Sequence, residues 1–257
     1  MGTTRFSGPL MYSGEGRTTG MGTWFKNLPM QLNPDYSVQF DDFTGIALDS
    51  TNDWTVSQLT SGTAAILADA IDGWLQIAGT GSDNTGASIQ GNEIWQAQAS
   101  KKIYFETRIV TSDADQMDIF VGLCENGTLS TSVPFATNNQ IGFLVTDGDA
   151  SIEAICDSGG VATETDTGVD FADGSVSGGT ISGDRRLGFV VTGTSKVEFY
   201  VDRVLKVTTT DNIPTSQLTA WFAAVAGEAA ANTVDCDYLF TAAQRQTDGM
   251  TQSSDQI

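Results

Sequence analysis

The sequence predicts an all-β protein, folded as an antiparallel sandwich with an extended N-terminal arm and a short polar C-terminal tail. Of its 257 residues, 40% are apolar, which is enough for a sizeable core. Short apolar runs with period-2 alternation recur along the chain, separated by clusters of Gly, Asp, Asn, Ser and Thr. Residues 196–211, KVEFYVDRVLKVTTTD, show this most clearly, because two alternating runs flank a polar break as they do in a β-hairpin.

Residues 1–40 have no sustained period and mix glycines with scattered aromatic side chains. Such a segment cannot bury enough of its own surface to offset the entropy lost when it becomes ordered. We therefore expect an arm that becomes ordered on another surface, and a flexible leader with incidental aromatics is the alternative. The predicted partner-binding residues of this arm are Arg5, Phe6, Tyr12, Arg17, Trp24 and Phe25.

Residues 41–240 form the predicted sandwich, and their spacing of apolar runs and turn residues indicates about twelve strands. Two short segments, 93–102 and 224–232, are candidates for helical turns. Residues 241–257 are polar and without pattern, as a terminal extension is. The predicted strands are 54–59, 64–70, 73–79, 102–111, 117–124, 140–146, 150–156, 186–193, 197–203, 204–210, 218–227 and 233–240.

Four of the predicted strands carry a run of residues with a familiar order: YFETR (104–108), IFVGL (119–123), NQIGF (139–143) and VDCDYL (234–239). With the hairpin 197–205, this order resembles the concanavalin A-like lectin/glucanase family, which includes laminin G-like domains. The resemblance covers about 200 residues and implies a jelly-roll sandwich for the body of the chain.

The hairpin departs from that family at Arg203, where glycine is usual. A two-residue turn needs positive φ angles that arginine adopts at a cost, so we expect a turn of three or four residues with a β-bulge. The bulge also corrects the register of residues 204–207, since without it Lys206 faces the core.

The charge and cysteine content exclude several classes of function. A net charge of −20 argues against binding to nucleic acid or to an anionic membrane. Three widely spaced cysteines indicate buried free thiols, which fit assembly of the protein in a reducing cytoplasm. The start of the chain lacks the pattern of a signal peptide. With no histidine, the usual zinc and iron ligand sets are absent. We predict no cofactor, although the acidic loops 83–84, 147–149 and 166–173 are of the type that holds structural calcium.

Neither catalysis nor sugar binding has a strong signal in the sequence. Glucanases of the resembled family use paired carboxylates on one strand, spaced Glu-x-Asp-x-Glu or Glu-x-Asp-x-x-Glu, and no such run is found. Glu106 has Arg108 as its neighbour on the same face, which indicates a salt-linked pair. Trp95 is the candidate for a glycan-binding platform, whereas Trp74 and Trp221 lie in apolar runs typical of a core.

These observations lead to a non-enzymatic structural protein of a viral particle as the expected function, most simply a capsid decoration (cement) protein of a tailed phage. In this hypothesis the arm contacts major capsid or other virion proteins or a sister copy, so the chain forms a homo-oligomer and is located in the virion. A carbohydrate-binding, lectin-like module for host attachment is the alternative, and a glycoside hydrolase is a third reading that the missing carboxylate run opposes.

Overall fold

The computed structural model describes residues 36–68, 70–133, 135 and 139–245, and within these ranges the chain forms strands and no helix. The all-β prediction is therefore confirmed, and the two candidate helical turns are wrong. The strands are β1 Tyr36–Asp41, β2 Thr55–Leu59, β3 Thr63–Ile66, β4 Leu75–Ala78, β5 Gly86–Gln90, β6 Trp95–Gln96, β7 Lys102–Thr111, β8 Met117–Cys124, β9 Asn139–Thr146, β10 Asp149–Ser158, β11 Ala162–Asp170, β12 Ser175–Ser177, β13 Thr180–Ser182, β14 Arg185–Thr192, β15 Lys196–Val201, β16 Val204–Thr209, β17 Gln217–Ala226 and β18 Thr233–Gln244.

Two large antiparallel sheets face each other as a jelly-roll sandwich. The first sheet has the order β16-β15-β14-β7-β18-β4-β3, and β1 also pairs with β18, beyond the end of β4. The second sheet has the order β11-β10-β9-β8-β17-β5-β2, and β6 pairs with β17. Strands β12 and β13 form a separate hairpin. Sequence-distant strands lie side by side throughout, as expected for a jelly roll.

The core lies between the two sheets and is built from the inward-facing half of each alternating strand. Its centre is aromatic: Phe105 stacks on Phe189 with ring centroids 4.9 Å apart, and Phe199 contacts Phe143 edge-on at 5.4 Å. These four side chains come from both sheets and are fully buried. The alternation that predicted the strands therefore also identified which side chains hold the sheets together.

A second apolar cluster covers the outer face of the second sheet. Trp221 is fully buried there, with Phe120 at 5.7 Å and Phe135 at 6.4 Å between ring centroids. Leu144 and Ile155 complete the same cluster. Because Leu129 and Phe135 pack over Trp221 in this cluster, this part of the outer face is closed to solvent.

The hairpin of residues 196–209 has a two-residue turn, so the longer turn predicted from Arg203 is wrong. Asp202 and Arg203 both have positive φ, 50° and 67°, which is the geometry of a type I′ turn. The predicted bulge is found after the turn, because Tyr200 pairs with Leu205 whereas Phe199 pairs with Val207. The bulge returns the register to one in which Val207 is buried.

The bounds of the sandwich lie outside those predicted. Residues 36–40, assigned to the arm, belong to a strand, because β1 pairs with β18 from Tyr36 to Asp41. At the other end β18 continues to Gln244, into the predicted tail. All three cysteines are buried and unpaired, as expected. Nowhere in the described part of the chain is there a helix long and apolar enough to cross a membrane.

Candidate functional site

A cleft of about 490 Å³ opens where β1 meets the loops before β2 and after β5. Its walls come from three separate parts of the chain, which only the folded sandwich brings together. We refer to these residues as the cleft. They are Val38, Gln39, Phe40, Asp41, Asn52, Asp53, Trp54, Asn92 and Ile94.

Asp41 fixes the floor of the cleft. One of its carboxylate oxygens accepts a hydrogen bond from the indole N–H of Trp54 at 2.7 Å, and the other accepts the backbone N–H of Phe43 at 2.9 Å. Trp54 is only 3% exposed and packs against Phe43, with 6.2 Å between ring centroids. Both oxygens of Asp41 are thus occupied, so this carboxylate holds the indole in place and orders the floor.

The rim that carries Asn52 is held by Asp49. The Asp49 carboxylate accepts hydrogen bonds from the backbone N–H of Thr51 at 2.9 Å and from the backbone N–H of Asn52 at 3.0 Å. The side-chain amide of Asn52 donates to it as well, at 3.0 Å. These bonds, those from Asn52 first, lower the pKa of Asp49, since hydrogen bonds to a carboxylate favour its charged form. Several hydrogen bonds to Asp49 therefore hold the loop that presents Asp53.

Apolar and polar groups stand side by side in the cleft. Phe40 is 45% exposed and Ile94 is 57% exposed, although both are large apolar side chains. Asp53 and Asn92 are exposed beside them, and the side-chain oxygen of Gln39 is buried without a hydrogen-bond partner. An exposed ring beside carboxylate and amide groups suits a ligand with an apolar face and a polar edge.

Phe40 also connects the cleft to the outer face of the first sheet. Its ring centroid is 6.2 Å from that of Tyr238 and 6.4 Å from that of Phe240. The hydroxyl of Tyr238 donates to Glu106 at 2.5 Å. Burial is the main cause of a raised pKa at Glu106, which the hydrogen bond from Tyr238 and the charge of Arg203 partly oppose.

The site residues predicted from sequence lie elsewhere. Trp95 is 1% exposed and pairs with Leu218 inside the sandwich, which does not fit the role of a glycan platform. Its neighbour Ile94 is the side chain that reaches the cleft. Trp74 and Trp221 are buried, as expected. The arm residues Arg5, Phe6, Tyr12, Arg17, Trp24 and Phe25 lie outside the described residues.

Strand β10 brings two carboxylates to one side of the second sheet, which the sequence reading missed. Asp149 pairs with Thr146 and Glu153 pairs with Leu144, with a bulge in β10 between them. Thr146 and Leu144 are two residues apart on β9 and face the same side. The bulge makes four residues of β10 span the length of two residues of β9, which shortens the separation of the two carboxylates along that side.

The pKa values of these two carboxylates are displaced in opposite directions. Ser151 donates hydrogen bonds to Asp149, its backbone N–H at 2.9 Å, and they lower the pKa of Asp149. Burial raises the pKa of Glu153, and repulsion from Glu164, Asp149 and Asp166 raises it further. Of these, Asp166 lies directly opposite Glu153 on β11. Glu153 thus keeps its proton to a higher pH than Asp149 does.

The acidic loops form no metal centre in the part of the chain that the structure describes, where no three His, Cys, Asp or Glu side chains are arranged to hold an ion. The carboxylate of Asp118 instead accepts the backbone N–H of Asp147 at 2.9 Å. Burial, followed by repulsion from Asp83, raises the pKa of Asp147. Backbone hydrogen bonding contributes to the order of these loops.

Comparison with solved structures shows the fold. The chain matches the catalytic domain of an endo-1,3-beta-glucanase (laminarinase) from Thermotoga petrophila RKU-1 with a TM-score of 0.56 and 13% identity, covering 82% of this chain and 99% of that one. It matches a Bacillus licheniformis beta-glucanase with a TM-score of 0.54 and 11% identity, covering 80% and 97%. A protein of unknown function from Shewanella oneidensis MR-1 matches with a TM-score of 0.54 and 12% identity, covering 86% and 93%. No protein-family model and no curated protein matches the chain.

These matches correct the functional expectation. The predicted jelly roll is confirmed, because glucanases of this architecture match over four fifths of the chain or more. The prediction of a non-enzymatic structural protein of a phage particle is contradicted, since endo-glucanases are among the solved structures that match the chain.

Proposed function

We propose that this chain is a carbohydrate-active protein that binds a glycan in the cleft. The observation that carries the proposal is the pair of exposed apolar side chains, Phe40 and Ile94, beside the exposed carboxylate and amide groups of Asp53 and Asn92. Its likeness to glucanases adds support, because the same sandwich serves carbohydrate chemistry in those proteins.

The cleft suits a sugar for physical reasons. A pyranose ring has an apolar face of C–H groups, which packs on an aromatic ring, and an edge of hydroxyls that needs hydrogen-bond partners. Phe40 supplies the ring, and the exposed side chains of Asp53 and Asn92 supply hydrogen-bond partners for the hydroxyls. A volume of about 490 Å³ lies within the range of small-molecule sites.

Isothermal titration of the full chain with a panel of neutral oligosaccharides, including β-1,3-glucan fragments, tests the proposal. Phe40→Ala should weaken binding by about tenfold, since an aromatic contact is worth about 1 kcal/mol or somewhat more. Ile46→Ala is the matched control, because Ile46 is also an exposed apolar residue but lies outside the cleft. Binding of no glycan, or equal loss in both variants, would overturn the proposal.

A second candidate function is cleavage of a glycan bound at β10, a place separate from the cleft. It is favoured by Glu153 and Asp149, which lie on one side of that strand and have pKa values displaced in opposite directions. Glycoside hydrolysis needs one carboxyl that keeps its proton and one that is ionised. Glu153 would donate its proton to the glycosidic oxygen as that bond breaks. Asp149 would then be the ionised partner that attacks the anomeric carbon or stabilises its positive charge, and water completes the reaction.

Release of reducing ends from glucans tests this second function. Glu153→Gln and Asp149→Asn should each lower the rate by about 100-fold or more, the usual range for losing an acid or a nucleophile. Glu198→Gln is the control, because Glu198 lies on β15 in the first sheet and pairs with Lys196. If both variants cleave as fast as the unmodified chain, β10 is not the catalytic strand.

A further inference from the structure

Four arginines converge at one end of the first sheet. Arg108 lies on β7, Arg185 and Arg186 lie on β14, and Arg203 lies in the turn between β15 and β16. Arg108 and Arg186 are paired directly across the strands. In a chain with 12 basic residues and 32 acidic ones, this concentration of positive charge needs an explanation.

Two of the four guanidinium groups have several partners each. Arg108 contacts Asp184 at 2.8 Å and Asp237 at 3.1 Å, and it lies over the Trp74 ring, 5.5 Å from its centroid. Arg185 contacts Asp202 at 3.7 Å and also donates to a backbone carbonyl. The charges of Arg108 and Arg185 are therefore balanced by neighbouring carboxylates, and these contacts stabilise the end of the sheet.

The other two guanidinium groups are poorly satisfied. Within the described residues, Arg186 makes no side-chain hydrogen bond or ion pair, although its charge acts on Glu106 and Asp237. Arg203 reaches Glu106 at 3.8 Å, and its Nε is buried without an acceptor. A buried donor without a partner is costly, which indicates that an acceptor is missing.

The backbone at Arg203 strengthens this argument. Its φ of 67° is one that glycine adopts freely and that arginine adopts at a cost. The turn nevertheless carries arginine, and the side chain lies back over the sheet towards Glu106. A strained residue that leaves a donor unsatisfied suggests a use for its guanidinium beyond the turn itself.

We propose that Arg186 and Arg203 bind the carboxylate of an acidic sugar. Guanidinium groups present a planar fork of N–H donors that matches a carboxylate. The place also fits, because Tyr238 lies between this arginine site and the cleft: its hydroxyl contacts Glu106 and its ring lies beside Phe40. The inference rests on the proposed function and adds a substrate class to it, a uronic acid or another carboxylated sugar next to the residues bound in the cleft.

Glu106 occupies the position of an internal competitor. Its carboxylate is 4% exposed, accepts the hydroxyl of Tyr238 and is the partner of Arg203. A ligand carboxylate must share Arg203 with it. Glu106→Gln removes the competing charge and keeps an oxygen that accepts from Tyr238, so this variant should bind the acidic sugar more tightly.

The test is isothermal titration of the full chain with trigalacturonate, a neutral β-1,3-glucan trisaccharide and sodium sulfate. Trigalacturonate should bind to the unmodified chain. The variants Arg186→Gln and Arg203→Gly should bind it at least tenfold more weakly than the unmodified chain does, and Glu106→Gln should bind it more tightly. Arg203→Gly suits the positive φ and should fold normally. Lys206→Gln is the charge-matched control, because Lys206 is exposed on the same hairpin, and it should bind as the unmodified chain does.

Each contrary result has a separate meaning. If sulfate binds as tightly and is lost in the same variants, the site is a general anion site and the acidic-sugar assignment is wrong. If the neutral trisaccharide binds and trigalacturonate does not, the arginine site is refuted while the cleft stands. If neither sugar binds, both proposals fail. In an NMR titration with trigalacturonate, a shift of the Arg203 Nε–Hε signal that follows the same binding curve as the calorimetry would confirm that the carboxylate binds at Arg203.

Discussion

Asp235→Asn is expected to flatten the pH dependence of the free energy of unfolding. Asp235 lies on β18 between β7 and β4, is 4% exposed, and accepts one hydrogen bond, from Gln76 at 2.8 Å. Burial of the carboxyl, opposed only by that bond, raises its pKa from 3.8 to about 6. The folded chain therefore holds this proton more tightly than the unfolded chain does.

The size of the effect follows from the shift. A displacement of about two pKa units corresponds to about 3 kcal/mol, an upper figure because the unfolded chain is not fully solvated. Because folding raises the pKa of Asp235, the protonated carboxyl stabilises the folded chain at low pH. This contribution to the free energy of unfolding is fully present below the unfolded pKa of 3.8 and is lost as the pH rises through about 6. The charged form of Asp235 thus destabilises the fold at neutral pH.

Urea unfolding at pH 4.5 and pH 7.5 measures this effect. The unmodified chain should lose about 2 kcal/mol more than the variant between the two pH values. At pH 7.5 the variant should gain less than that, since the new amide N–H₂ lacks an acceptor, at a cost of about 1 kcal/mol. Asp211→Asn, at an exposed site, should leave the pH slope unchanged. Equal slopes for all three chains would refute the idea that Asp235 is desolvated.

Two further predictions concern stability. Arg203→Gly should change the free energy of unfolding by less than about 1 kcal/mol, whereas Arg203→Val should lower it by more, because a β-branched residue tolerates positive φ poorly. Urea unfolding of both variants measures the difference. Equal free energies of unfolding would mean that the turn relaxes to accept either residue. Trp221→Ala should cost about 3–5 kcal/mol, the usual range for emptying a buried tryptophan site. A loss under 1 kcal/mol in the same assay would show that the cluster on the outer face of the second sheet is not packed.

Alternation in the sequence was enough to predict the sandwich, because it reports which side chains face the core. The hairpin 196–209 has one inward and one outward set, and the structure keeps both except at the bulge. Tryptophans in long apolar runs, such as Trp74 and Trp221, were read correctly for the same reason.

The cleft could not be predicted from the sequence, because its residues are far apart and its strands are short. β6 has only two residues, so pairing with Leu218, and not alternation, decides that Trp95 faces inward while Ile94 faces the cleft. Phe40 was assigned to the arm because the composition changes after it, although β1 already pairs with β18 there. Asp149 and Glu153 were missed because a bulge, which leaves no mark in the pattern, brings them together.

Phe40 offers a way to decide whether the cleft and the arginine site bind one glycan or two. If a single acidic glycan spans both, Phe40→Ala and Arg203→Gly remove contacts to the same ligand, and the free energies of binding lost in the two variants should not add. Residues that act through one ligand or network typically show coupling of about 0.5–3 kcal/mol, whereas independent sites add within about 0.5 kcal/mol. A double-mutant cycle with trigalacturonate measures this coupling, and additive losses would mean two separate sites. The neutral trisaccharide is the internal control, because it should respond to Phe40→Ala and not to Arg203→Gly.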